Sequence, residues 1–172
     1  MFKKILIAGC GLIGSSILRG SITKKISKHF FVYEKSKKNI QKIKKINSKI
    51  IILKKLDDKL SDMDLVVLST PMSEYDKIIP NLNKYLNKNC LITDVGSTKE
   101  NVLKLKNKKL VKSLDWITSH PISGSEVSGP EYGTKNLFVK KWCIVVSDKN
   151  KLKQNKLLKF WKKLGSNVII MD

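Results

Sequence analysis

The sequence predicts a three-layer α/β domain built on a doubly wound parallel sheet. Short apolar runs alternate along the chain with longer segments whose apolar residues recur at helical spacing. Because no hairpin signal joins two neighbouring runs, the strands are expected to be parallel and connected through helices. A glycine-rich turn after the first apolar run is the third observation, and it is typical of one class of such sheets.

That turn follows a buried strand predicted at residues 5–8 and precedes a helix predicted at residues 12–24. A strand, the pattern G-x-G-x-x-G and a helix, in that order, are the fingerprint of a Rossmann-type dinucleotide-binding domain. The first glycine permits a tight turn, the second lets the backbone approach a pyrophosphate, and the third lets the helix press against the strand. The cofactor-binding residues predicted in this turn are Gly9, Gly11, Leu12, Ile13 and Gly14.

An acidic residue ends the second predicted strand, residues 29–33, some twenty residues after the turn. Glu34 is placed there to accept hydrogen bonds from the adenosine ribose and to repel a 2′-phosphate. The cofactor is therefore predicted to be NAD. Lys35, Lys37 and Lys38 leave NADP possible, because a nearby lysine could pair with the phosphate.

The rest of the chain continues the alternation of strand and helix. Ligands bind at the carboxyl ends of the strands in such sheets, so Ser69, Thr70 and Pro71, which follow the fourth strand, are also predicted to bind the cofactor. Pro80 falls inside a predicted helix and is expected to kink or split it. Further strands are predicted at residues 50–53, 64–69, 90–95, 142–147 and 168–171. Further helices are predicted at residues 37–46, 74–86 and 152–164. One more helix is expected to begin after a cap at Ser97 or Thr98.

Composition favours one cytoplasmic domain spanning residues 1–172. The formal charge of +21 comes almost entirely from lysines scattered between apolar residues, as on solvated helix faces; Arg19 is the sole arginine. Arginine forks and interleaved aromatic residues are both missing, so we expect attraction of anionic small molecules and no specific nucleic-acid partner. Three widely spaced cysteines without nearby histidines predict neither disulfides nor a metal site, and no segment predicts a membrane span.

A second constellation lies at residues 116–129, where His120 precedes Pro121. Proline biases the residue before it to an extended conformation, so His120 is predicted at the end of a strand, on the ligand-facing edge. Gly124 and Gly129 would let the following chain fold back over a ligand. A histidine satisfied by local backbone is the alternative, and a catalytic role is the interpretation that we favour.

The chain resembles the prephenate dehydrogenase family, including its arogenate-using relatives. The resemblance is carried by residues 9–16, 69–71, 94–99 and 120–126, and the last two segments are the most specific. It implies NAD-dependent oxidative decarboxylation of prephenate, or of arogenate, within tyrosine biosynthesis. It also implies that His120 accepts the hydroxyl proton, that Ser97 orients the reacting groups, and that Ser125 and Glu126 lie beside a dianionic substrate.

The resemblance covers only the nucleotide-binding half of that family, in which a helical domain follows. That domain supplies dimer contacts, closes the active site and provides a substrate-binding arginine, which Arg19 in the first helix cannot replace. A homodimer is therefore expected only if such a domain is present, and residues 1–172 by themselves are expected to be poorly active. Two other interpretations stay open: another NAD(P)-dependent hydroxy- or imino-acid oxidoreductase, and a non-catalytic dinucleotide-binding module.

Overall fold

The computed structural model describes residues 2–172, which form two sheets with helices packed around them. The helices and the strands alternate along most of the chain, as predicted. The strands are β1 (Lys4–Ala8), β2 (His29–Tyr33), β3 (Ile51–Leu53), β4 (Leu65–Leu68), β5 (Leu91–Asp94), β6 (Asp115–Trp116), β7 (Ser119–Pro121), β8 (Trp142–Val146) and β9 (Asn167–Met171). The helices are α1 (Leu12–Thr23), α2 (Lys37–Ile46), α3 (Tyr75–Tyr85), α4 (Lys99–Lys109) and α5 (Lys151–Leu164).

The main sheet has six strands in the order β3-β2-β1-β4-β5-β6, and every neighbouring pair is parallel. The order reverses beside β1, which lies between β2 and β4. This is the doubly wound arrangement in which ligands bind where the strand order switches. The predicted fold class is confirmed.

Alternate residues of each central strand enter two separate cores, which is the reason for three layers. In β1, Ile5 and Ile7 pack with the residues of α1 and α5, while Leu6 and Ala8 pack with those of α3 on the opposite face. All four side chains are fully buried. Parallel strands covered by helices on both faces need continuous apolar runs, which is what the sequence shows at these positions.

A second sheet, in the order β7-β8-β9, differs from the prediction that all strands are parallel. β7 is antiparallel to β8, whereas β8 and β9 are parallel and are joined through α5. The connection from Pro121 to Trp142 contains one short 3-10 helix, Pro130–Tyr132, and no crossover α-helix. A chain that returns without a crossover can pair antiparallel, and the sequence carried no hairpin signal to reveal it.

Two local predictions agree with the structure only in part: Pro80 does not split its helix, and the residue at the α4 cap makes no capping hydrogen bond. α3 runs through Pro80 without a break, because Pro80 is exposed and the carbonyl that it leaves without a donor, on Asp76, lies on the exposed side of the helix. Thr98 occupies the capping position of α4, yet its side chain makes no capping hydrogen bond. Within residues 2–172, no helix is both long enough and apolar enough to cross a membrane.

Candidate functional site

A cleft of about 540 Å³ opens at the carboxyl ends of β1, β2 and β4. It lies at the point where the strand order reverses, which is the usual ligand position in this class of sheet. Six of the predicted cofactor-binding residues line it, together with lysines of α2 and part of the segment after β7. The lining includes Gly9, Gly11, Glu34, Ser69, Thr70, Pro71, Lys35, Lys38, Lys42, Ser128, Gly129 and Glu131.

The turn after β1 requires glycine at two positions. Gly9 has φ +85°, in the left-handed region that favours glycine, and a Cβ there would lie 2.6 Å from the backbone nitrogen of Thr70. A Cβ on Gly14 would lie 2.2 Å from the carbonyl oxygen of Gly9. The hydroxyl of Ser69, the residue after β4, donates a 2.6 Å hydrogen bond to that carbonyl and so links the end of β4 to the turn. The predicted roles of these two glycines therefore agree with the geometry.

The amino end of α1 is available to an anion. Gly11 holds the capping position, no side chain caps the helix, and its first turn carries no acidic residue. The first backbone N–H groups of a helix have no partner within the helix, so those of Leu12 and Ile13 can serve a bound phosphate. A Cβ on Gly11 would meet no protein atom within 4 Å. The space beside Gly11 is therefore open to a ligand.

The carboxylate of Glu34 lies in the cleft at the end of β2. One of its oxygens accepts hydrogen bonds of 2.9 Å from the backbone N–H groups of Lys35 and Ser36, and the other accepts a 3.4 Å bond from the Asn39 side chain. These bonds fix the carboxylate where the ribose of a dinucleotide would lie. Beside it, the Thr70 hydroxyl is buried in the cleft wall without a protein partner.

The segment that follows β7 lies over one side of this cleft. Glu131 forms an ion pair with Lys42 of α2, and the guanidinium of Arg19 donates to the carbonyl oxygen of Pro130 at 3.4 Å. Further along, the backbone N–H of Thr134 donates to the Ser16 hydroxyl of α1 at 3.0 Å. These contacts join the segment after β7 to both helices that flank the cleft. His120 precedes that segment and does not itself line the cleft.

His120 lies in a strand, which agrees with the predicted extended conformation, and it is one residue short of the strand end. It is the central residue of β7, directly opposite Ile144 of β8. Pro121 is tolerated there because β7 is the edge strand of its sheet. Partial burial lowers the pKa of His120, and the positive charge of Lys99 lowers it further against the opposing effect of Asp94. Burial and Lys99 thus favour the neutral imidazole, which is the form that can accept a proton.

The pair formed by Asp94 and Lys99 is the part of this region that our choice of site residues missed. Asp94 is fully buried and accepts a 2.5 Å bond from the ammonium of Lys99, which also donates to the carbonyl oxygen of Ser119 at 2.6 Å. Burial raises the pKa of Asp94 and lowers that of Lys99, and each partner opposes the shift of the other. The spacing D-x-x-x-x-K from a strand end to a helix start is the signal that could have revealed this pair.

Two tryptophans complete the support beneath His120. The indole N–H of Trp116 donates to Asp94 at 3.1 Å, and that of Trp161 donates to the Ser119 hydroxyl at 3.1 Å. The same hydroxyl donates to the backbone carbonyl of Asp94 at 2.8 Å. Because every polar atom named here is paired, the residue before His120 is rigidly held between β5 and α5.

Several predicted residues do not line the cleft, and they include Leu12, Ile13, Gly14 and His120. Ser97 is exposed between β5 and α4, two residues before Lys99, and Ser125 and Glu126 are exposed in the segment after β7. None of the three lines the cleft. Their predicted substrate contacts therefore stay predictions. Within residues 2–172, no group of three or more histidine, cysteine or acidic side chains is placed to hold a metal ion.

The strand order, the glycine turn and the hydrogen-bonded carboxylate of Glu34 at the end of β2 define a Rossmann-type nucleotide-binding domain. The chain belongs to the prephenate dehydrogenase family: residues 20–170 match its nucleotide-binding domain. The match begins after the glycine turn, so the assignment of the turn depends on its own geometry.

Similar proteins agree with this family. The chain is 30% identical to a prephenate dehydrogenase of Lactococcus lactis, over 99% of this chain and 47% of that protein. It is 28% identical to a cyclohexadienyl dehydrogenase of Zymomonas mobilis, over 100% of this chain and 59% of that protein. The chain thus spans about half the length of the curated relatives that it matches.

Solved structures show the same fold. A crystal structure of A. aeolicus prephenate dehydrogenase in complex with hydroxyphenyl propionate and NAD+ superimposes with a TM-score of 0.89 at 26% identity, over 100% of this chain and 60% of that one. The Synechocystis arogenate dehydrogenase superimposes with a TM-score of 0.83 at 20% identity, over 98% of this chain and 59% of that one. At that identity the second comparison shows the fold alone.

Proposed function

We propose that the complete protein is an NAD-dependent prephenate dehydrogenase. The observation that carries the proposal is a cleft of the dinucleotide-binding kind in a chain of this family, whose β7 also bears a partly buried histidine with a lowered pKa. The A. aeolicus relative that shares the fold was solved with NAD+, which supports the same cofactor here. The reaction would convert prephenate to 4-hydroxyphenylpyruvate and carbon dioxide.

The residues of the cleft suit NAD. The uncapped first turn of α1 can bind the pyrophosphate, and the open side of Gly11 lets the backbone approach it. Glu34, held by two backbone N–H groups, can accept bonds from the adenosine ribose. When bound, the nicotinamide supplies an acceptor for the hydride that leaves the hydroxyl-bearing ring carbon.

The protein's own contribution to the reaction is a proton acceptor and its support. As the hydride leaves and the ring hydroxyl becomes a carbonyl, the hydroxyl proton passes to His120. When carbon dioxide then leaves, the electron pair of the broken bond aromatises the ring, and the oxygen regains a proton to become the phenol. Lys99 disfavours the imidazolium and keeps the base available in the resting protein. Ser97, Ser125 and Glu126 are proposed to orient the substrate around that atom, as the family resemblance implies.

One assay tests the proposal. The complete protein is incubated with prephenate and NAD, and formation of NADH and 4-hydroxyphenylpyruvate is followed. Arogenate serves as the second substrate, because one relative is named a cyclohexadienyl dehydrogenase. Turnover of neither substrate, in a preparation that binds NAD, would favour another oxidoreductase activity or a non-catalytic role.

Cofactor choice is tested separately with Glu34→Ser. The carboxylate repels a 2′-phosphate, so the wild type should bind NAD more tightly than NADP, and the variant should reverse or abolish the difference. Lys38 also lines the cleft and could pair with a phosphate once the carboxylate is gone. Titration of both cofactors against both proteins measures this, and tighter NADP binding by the wild type would contradict it.

The remaining features of the complete protein follow from the same resemblance. A homodimer is proposed only for a chain that carries the helical domain of the family. The three cysteines are buried and unpaired, which supports a reducing compartment, and we propose the cytoplasm.

A further inference from the structure

A second cavity, of about 300 Å³, lies at the opposite edge of the main sheet from the nucleotide cleft. Phe2 precedes β1, Asp64 precedes β4, and Leu91 begins β5, so the cavity is bounded by the amino ends of these strands. α5 forms its other wall. Its volume is at the lower end of the range for small-molecule sites.

The floor of this cavity is apolar. The rings of Phe2 and Phe160 meet edge to face with their centroids 6.2 Å apart, and Leu91 lies beside them. Phe160 and Leu91 are almost fully buried, so this floor belongs to the folded core and is not a mobile surface patch. The apolar body of a ligand would mainly cover the half-buried ring of Phe2, and removing both surfaces from water favours binding by the hydrophobic effect.

The rim is cationic. Lys153, Lys156, Lys159 and Lys163 recur at helical spacing along one side of α5 and line the cavity. Lys153 is held in place by bonds to the carbonyl oxygen of Lys88 at 2.7 Å and to Asp115 at 2.8 Å. Lys156 and Lys159 are exposed, and their ammonium groups can reach an anion at the cavity mouth while their methylene stems cover its apolar body.

The acidic group in the lining is already engaged. One oxygen of Asp64 accepts hydrogen bonds from the backbone N–H groups of Lys3 and Lys4, at 2.7 and 2.8 Å. Lys153 is paired with Asp115, so Lys156 and Lys159 are the lining cations that favour an anion over a cation or a neutral molecule. A bare phosphate would leave the aromatic floor uncovered, so the ligand must also carry an apolar part.

We propose that this cavity binds a small monocarboxylate with an apolar body, its carboxylate between Lys156 and Lys159 and its body against Phe2 and Phe160. The site is separate from the nucleotide cleft, because the two open at opposite ends of the same strands. The proposal does not depend on the dehydrogenase activity proposed above.

Hexanoate is the probe, since its chain does not resemble a ring substrate. Calorimetric titration of the complete protein with hexanoate should show binding that saturating NAD does not displace. The uncharged analogue 1-hexanol should bind at least roughly threefold more weakly, because it cannot pair with the exposed lysines. Absence of hexanoate binding, equal binding of hexanol, or displacement by NAD would overturn the proposal.

A charge variant locates the site on α5. The double substitution Lys156→Glu and Lys159→Glu should weaken hexanoate binding about tenfold or more. Lys108→Glu with Lys162→Glu is the matched control: it changes the net charge equally at exposed positions outside the cavity, and it should leave binding unchanged. An equal loss in both double variants would show that only the overall charge of the protein attracts the anion and would contradict the site.

Discussion

At His120, two neighbouring charges act in opposite directions on one imidazole. Lys99 lowers the pKa of His120 and Asp94 raises it, while partial burial is the largest influence and also lowers it. The pKa of His120 thus depends on the ion pair between Asp94 and Lys99, of which His120 is not a member.

Replacing His120 by Asn should lower kcat by roughly 10²–10⁴-fold, the usual contribution of general acid–base catalysis, with NAD affinity little changed. Because the pKa of His120 is below its ordinary value of about 6.5, wild-type activity should persist to lower pH than an unperturbed histidine would allow, and then fall as the imidazole protonates. The pH profile of kcat measures this. Ser97→Ala is the control, and its kcat should fall less. If His120→Asn keeps a near wild-type kcat while chemistry is rate-limiting, another group accepts the proton. Glu126 is then the next candidate.

Replacing Lys99 by Met should destabilise the fold by about 3–5 kcal/mol, because it leaves the carboxylate of Asp94 buried without its cation. Denaturant unfolding measures the loss, and adding Asp94→Asn should restore part of it by removing the unpaired charge. If the variant stays folded, the acid limb of kcat/KM should move to higher pH, since the positive charge that lowers the pKa of His120 is gone. An unchanged pH profile would show that Lys99 has only a structural role.

At the scale of single elements, the turn between β1 and α1 contains one glycine required by packing and another that faces open space. Gly14 lies against protein backbone and the Ser69 hydroxyl, whereas Gly11 has open space where a side chain would project. Two glycines of one motif are therefore required for different reasons. A pair of alanine substitutions distinguishes these reasons.

Gly14→Ala should destabilise the protein by about 1–3 kcal/mol, because the added Cβ would lie 2.2 Å from the Gly9 carbonyl oxygen and something must shift. Gly11→Ala should leave stability within about 0.5 kcal/mol, since nothing lies within 4 Å of its Cβ, but should weaken NAD binding. Unfolding curves and NAD titrations of both variants check this. The prediction is wrong if Gly11→Ala binds NAD as tightly as the wild type.

At the scale of the whole molecule, the two sheets are covered unequally. The main sheet carries helices on both faces, whereas one face of the second sheet presents His120, Ile144 and Ile169 in a single row. Exposure on that face is substantial: Trp142 is 50% and Ile169 is 37% exposed. Water therefore has access to the side of the sheet on which the proposed base lies.

For that reason, residues 1–172 by themselves should bind NAD but turn over prephenate far more slowly than full-length relatives. The physical cause is a base that faces solvent, together with a sole arginine, Arg19, whose guanidinium bonds to Pro130 and not to a substrate. NAD titration and a prephenate assay of this chain, beside the L. lactis enzyme, measure the difference. Comparable turnover by the two would show that the lysines of this chain can replace a second domain.

The sequence by itself determined the fold class, the glycine turn and the position of Glu34, because these depend on local patterns: apolar runs, backbone freedom and a fixed distance along the chain. It could not determine the pairing of β7, since a strand that returns without a crossover helix leaves no periodic signal. Nor could it show that Asp94 and Lys99 form a buried pair beneath His120, because burial and pKa depend on residues brought together from β5, α4, β7 and α5. Contacts between residues distant in the chain were decided only by the tertiary structure.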